Sequence, residues 1–137
     1  MKSICRWGGL GVGLGVGLGL VIALSGLLAQ NPPFTRTVVN RADVSVPGRE
    51  AVIARIEINP GAKVGRHTHP GDEISYVMEG EGEILIEGQP PRKVKAGDGF
   101  VIAAGLKHDA HNTGTVPLKL AGIYVVEKGK PIATPAP

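Results

Sequence analysis

The sequence has 137 residues, with 15 basic and 12 acidic side chains, four histidines and one cysteine. That length bounds one domain plus short appendages, and a lone cysteine excludes a disulfide framework. Lys2 and Arg6 precede a long uncharged run; without that segment 13 basic residues face 12 acidic ones, which gives no electrostatic case for a nucleic-acid partner.

The first 29 residues pair a short basic start with the apolar run GGLGVGLGVGLGLVIALSGLLA, and no charge occurs between Arg6 and Arg36. A secretory signal peptide has this layout, with cleavage after Ala29 or Ser25. The alternative is a retained membrane anchor over residues 7–29, since that run can cross a hydrocarbon core of about 30 Å. Its eight glycines lower both hydrophobicity and helix propensity. Under either reading the chain is expected to be exported to the periplasm or the cell exterior, touching a membrane only through this segment. Cys5 lies ahead of the apolar run, so the remaining chain holds no thiol to act as nucleophile or ligand.

An N-terminal arm follows over 30–48. From residue 36 onward, short β-type runs alternate with turn residues: 36–40, 50–58, 74–79, 83–87, 92–95, 99–103, 109–112 and 118–126. Between them sit Val-Pro-Gly, Asn-Pro-Gly, His-Pro-Gly, Ala-Gly-Asp-Gly and Asn-Thr-Gly-Thr, which break strands because proline fixes φ and glycine permits positive φ. In 50–58, Val52, Ala54, Ile56 and Ile58 share one face, with Arg55 and Glu57 on the other. The pattern predicts an all-β sandwich or barrel. Residues 128–137 read as a proline-rich tail, disordered or extended.

Chemistry concentrates in GRHTHPGDE, residues 65–73. Residues two apart on a strand share a face, so His67 and His69 can converge, and a turn at Pro70-Gly71 can return Glu73 beside them. Two imidazoles and a carboxylate suit an open divalent-metal site, and His108, from a neighbouring strand, would complete a set of three His and one Glu. Ile74, Val77, Phe100 and Ile102 are candidates for a dry wall around it. His111, three residues beyond His108, is expected on the other side of a regular strand. Arg55, Arg66 and Lys107 are candidates for steering an anionic substrate.

These residues resemble the cupin superfamily. Its first motif, G-x5-H-x-H-x3-4-E-x6-G, matches at Gly61, His67, His69, Glu73 and Gly80. Its second, G-x5-P-x-G-x2-H-x3-N, matches at Gly97, Gly105, His108 and Asn112, with Ala103 in place of the proline. The resemblance covers about 51–126 and is most similar to small cupin-2 proteins of the quercetin dioxygenase-like kind. It implies a small barrel over 49–127, a jelly-roll-like double-stranded β-helix. One divalent metal would be held by His67, His69, Glu73 and His108, iron or manganese favoured and nickel, copper or zinc possible. It also implies a homodimer. Asn112 and the motif glycines would form turns. Three functions compete: a metal-dependent, dioxygenase-like enzyme on a small organic substrate with Glu73 as base, a non-catalytic module that binds a metal or small metabolite, or a structural or storage protein whose metal only stabilises the barrel.

Overall fold

The computed structural model describes residues 31–137, and the expected signal or anchor segment over 1–29 lies outside them. The described residues form ten strands: β1 (Phe34–Asp43), β2 (Arg49–Ile58), β3 (His67–Thr68), β4 (Gly71–Glu79), β5 (Glu81–Ile86), β6 (Arg92–Lys95), β7 (Gly99–Ile102), β8 (His108–His111), β9 (Leu118–Glu127) and β10 (Thr134–Pro135). They make two five-stranded antiparallel sheets, ordered β1-β2-β9-β4-β7 and β10-β3-β8-β5-β6. Among these residues no helix is long and apolar enough to cross a membrane.

Alternation decides which side chains enter. On β2, Val52, Ala54, Ile56 and Ile58 are all at most 4% exposed, while Ile53 and Arg55 face out. The antiparallel register then sets Ile56 beside Leu120 of β9, and Leu120 beside Val77 of β4, so one buried row crosses three strands. Arg36 of β1 pairs with Ile56 and extends that row, which turns a charged side chain toward the interior. Ile84, Val94, Phe100 and Ile102 complete the core from the other strands.

Two devices hold the corners around the site. Thr68–Gly71 carries the chain from one sheet to the other, and a Cβ on Gly71 would sit 2.0 Å from the Val125 carbonyl oxygen, so no larger residue fits this crossing. Asn112 is fully buried; its amide donates to the carbonyls of Ile58 at 2.9 Å and Val116 at 2.8 Å, and its oxygen accepts from Gly114 N–H at 2.9 Å. Each such bond contributes about 1 kcal/mol net, and a stranded buried partner costs more. Asn112→Ala is therefore expected to destabilise the domain by about 2–4 kcal/mol, read as a fall of roughly 10–25 °C in the thermal midpoint. A fall under about 5 °C would show that the turn does not depend on this side chain.

The tail departs from the expected flexible extension. Thr134 and Pro135 pair with Thr68 and His67, and Ala136 N–H donates to the Arg66 carbonyl at 3.0 Å. Proline is tolerated there because β10 is an edge strand.

Candidate metal centre

The four expected ligands meet inside the barrel. His67 comes from β3, His69 from the crossing after it, Glu73 from β4 and His108 from β8. All are at most 7% exposed, and their donor atoms lie within 4.8 Å of one another. Register explains the meeting: His67 is paired with His108, and Glu73 lies beside Tyr124 of β9 with its side chain on the inner face. The rings stand close, with centroids 4.2 Å apart for His67 and His108, 4.8 Å for His67 and His69, and 5.0 Å for His69 and His108.

Each imidazole is aimed by its Nδ1. That atom faces a backbone carbonyl in all three: Gly65 for His67 at 2.7 Å, Ile132 for His69 at 2.5 Å, and Leu106 for His108 at 2.9 Å. A carbonyl only accepts, so Nδ1 carries the proton and Nε2 keeps its lone pair. The Nε2 atoms of His69 and His108 lie 2.9 and 3.3 Å from Glu73 Oε2, yet both are buried with no aligned hydrogen bond. Lone pairs facing a carboxylate oxygen repel unless positive charge lies between them. Protonating each ring a second time would bury imidazolium groups at a desolvation cost. A divalent cation satisfies all four donors, and carbonyl-anchored histidines are the usual support for such ligation. The residues fit a metal.

Charge at the site points the same way. Burial pushes the Glu73 carboxyl upward; the stronger lowering by His108 and His69 requires a proton on Nε2, or a cation in its place, between ring and carboxylate, and the Ser75 hydroxyl adds to it. Ser75 donates to Glu73 Oε1 at 2.6 Å, which leaves Oε2 toward the histidines. Burial, and then the Glu73 charge, push the Tyr124 phenol upward, so it keeps its proton; its ring is 4.8 Å from that of His69. A small cavity of about 20 Å³ adjoins the cluster, walled by Ile56, Ile58, Ile84, Phe100, Ile102 and Leu120.

Burial lowers the His67 imidazole to about 4 from 6.5, with smaller lowering by the nearby His108, His69 and Arg36 and an opposing contribution from the Gly65 carbonyl. The unfolded chain takes up this proton near pH 6.5 and the folded one only near pH 4, so the unfolded state binds more protons between those values. The metal-free protein is expected to lose stability as pH falls from about 6.5 to about 4, measured by urea midpoints across that range. His67→Gln should flatten the profile; an equally steep profile in that variant would assign the loss elsewhere.

Several expected participants lie elsewhere. Ile74 is 42% exposed, because Glu73 points inward and the next residue must point out. Val77 is buried in the core rather than against the cavity. Arg55 faces solvent from β2, Arg66 pairs with Glu87 at 2.9 Å, and Lys107 lies 3.7 Å from the same carboxylate. The cavity's cationic side chain is Arg36, which had no motif around it. His111 is half-buried at the far end of β8, opposite Glu83 and outside the ligand cluster. Asp109, also unanticipated, is buried and accepts from Gly65 N–H at 2.9 Å, pinning the loop that leads to His67.

The family model described as "Cupin domain" matches residues 54–127, which is 74 of the 137 residues. The chain is a cupin. This cupin is 34% identical over 76 residues to an oxalate-binding protein of Thermotoga maritima, covering 55% of the chain and 62% of that relative. It is 33% identical over 115 residues to nectarin-1 of a Nicotiana langsdorffii × Nicotiana sanderae hybrid, covering 75% of the chain and 48% of the relative. The cupin thus spans less than two thirds of the length of these relatives. Among solved structures, a Klebsiella pneumoniae protein with a double-stranded β-helix domain superposes with a TM-score of 0.63 at 24% identity, covering 77% of this cupin and 88% of that chain. That likeness shows the fold.

Proposed function

We propose that this cupin binds one divalent transition metal, iron or manganese by preference, and converts a small organic substrate in an oxygen-dependent, dioxygenase-like reaction. The observation that carries the reading is the convergence of three Nδ1-anchored imidazoles and one carboxylate on a point beside a cavity with an open mouth. Four protein donors leave positions free on a six-coordinate ion, and nickel, copper or zinc suit the same donor types. Such an ion polarises a bound substrate or exchanges an electron with oxygen. Around it, Glu73 would act as a base only on detaching from the metal, and Tyr124, which keeps its proton, lines the cavity as a hydrogen-bond donor. The apolar wall excludes bulk water, and the enclosed space beside the cluster, about 20 Å³, has room for about one water-sized group, so a substrate would reach the centre from the open mouth.

The likeness to the oxalate-binding protein favours a second reading, a module that captures a small metabolite without turnover. Metal analysis of freshly purified full-length protein comes first, followed by oxygen uptake with phenols, diketones and small carboxylic acids. Oxygen consumption with substrate loss supports the enzyme; saturable binding of a compound that is recovered intact supports the module. We also propose export through residues 1–29, as a cleaved signal or an anchor, and a homodimer. For the dimer, the outward row of Ile53, Ile123, Ile74 and Val101 across four neighbouring strands is an apolar face suited to a second copy. Sedimentation of wild type against Ile74→Glu tests it, a monomeric wild type being the adverse result.

A further inference from the structure

Arg36 stacks on two rings but pairs with no carboxylate among the described residues. It lies on the inward row of β1 with its guanidinium carbon 5.9 Å from the Phe34 ring centre and 5.5 Å from that of Tyr124. Its Nε is buried and has no hydrogen-bond partner, and among the described residues no carboxylate is within ion-pair distance of it. Stacking on two rings accounts for the side chain's position but not for a stranded buried donor, whose desolvation is uncompensated. The other expected cations point to solvent or pair with Glu87, so this one charge is reserved for the cavity.

The position of Arg36 also matters. It lines the metal-side cavity and, with Phe34, Val64, Arg66, His67 and Pro135, an adjoining cleft that leads outward, where Arg66 is paired with Glu87. Any molecule passing from the cleft to His67 moves along the guanidinium. A planar fork of N–H donors in an apolar, ring-lined mouth matches a planar oxyanion far better than it matches a neutral or cationic group.

We propose that Arg36 determines ligand charge, and that the site takes a small carboxylate whose anionic head is held between the guanidinium and the metal position formed by His67, His69, Glu73 and His108. This rests on the metal reading above. Arg36 is the cationic side chain that faces the cavity, and its fork can hold a carboxylate oxygen that the metal position leaves free. Arg36 is a specificity residue here; the role of base stays with Glu73.

The test compares wild type, Arg36→Gln and Arg36→Lys, each loaded with Co(II), whose visible spectrum reports both metal occupancy and ligand entry. Glycolate and oxalate are titrated against glycolamide, the neutral match of glycolate. The wild type is expected to bind the two acids and to disfavour the amide. Arg36→Gln is expected to hold cobalt as wild type does, to lose about ten- to a hundredfold in acid affinity, and to keep its affinity for the amide. Arg36→Lys should recover part of the loss, since a point charge replaces a fork. Acid affinity within about threefold of wild type in Arg36→Gln, with cobalt bound, overturns the proposal while leaving the metal reading intact. An equal loss for acid and amide also overturns it, because that pattern reports a disturbed β1 rather than lost charge. Failure of the wild type to bind cobalt overturns both.

Discussion

Saturating Mn(II) or Co(II) is expected to raise the thermal midpoint of the wild-type chain by roughly 15–30 °C, and His67→Ala is expected to cut that rise to about a third or less. The magnitude follows from linkage: a ligand present at a thousand times its dissociation constant adds about 4 kcal/mol. It is large here because the metal-free arrangement is electrostatically poor. Glu73 Oε2 faces two lone-pair nitrogens at 2.9 and 3.3 Å, and an ion between them turns repulsion into bonding. His67→Ala removes a ligand while leaving the apolar wall intact, so the variant should fold and bind metal at least about a hundredfold more weakly. His111→Ala, outside the cluster, should shift as wild type does. No shift in wild type, or an equal one in His67→Ala, would remove the site assignment.

Ending the chain after Lys130 is expected to weaken metal binding about ten- to a hundredfold without unfolding the barrel. The Ile132 carbonyl accepts from His69 Nδ1 at 2.5 Å, and β10 covers β3, the strand that carries His67. Without that acceptor, His69 is free to turn its ring and to exchange tautomers, so Nε2 is no longer held on the metal. The interaction belongs to the backbone, so Ile132→Ala keeps the carbonyl and should stay within about threefold of wild type. Metal titration alongside a circular dichroism spectrum separates the outcomes. A truncated chain with unchanged affinity would show that packing alone aims His69.

The same two cases show what could be read from sequence and what could not. His67, His69, Glu73 and His108 were legible because their spacing is local, or nearly so, and their chemistry is rare. The eight expected strands were legible for a similar reason, since alternation and Pro-Gly turns act over a few residues. β3 was legible only through its histidines, because two residues are too few to alternate, and β10 was missed because prolines hide an edge pairing that only the folded barrel offers. Arg36 and Tyr124 were hidden differently. Each lies on a strand that was expected, but its inward direction depends on register with β2 or β4, set by residues far away in the chain. Arg55, Arg66 and Lys107 had positions near the motifs and no register to turn them inward.

The cleft beside His67 is lined by Phe34, Arg36, Ala133 and Pro135 from outside the family-matched stretch 54–127 and by Val64, Gly65, Arg66 and His67 from within it. The donor atoms and the flank half of the gateway therefore belong to separable parts of the polypeptide. Exchange of the flanks alone, by graft or by recombination between cupins, could redirect which molecules reach the centre while its four donors stay in place.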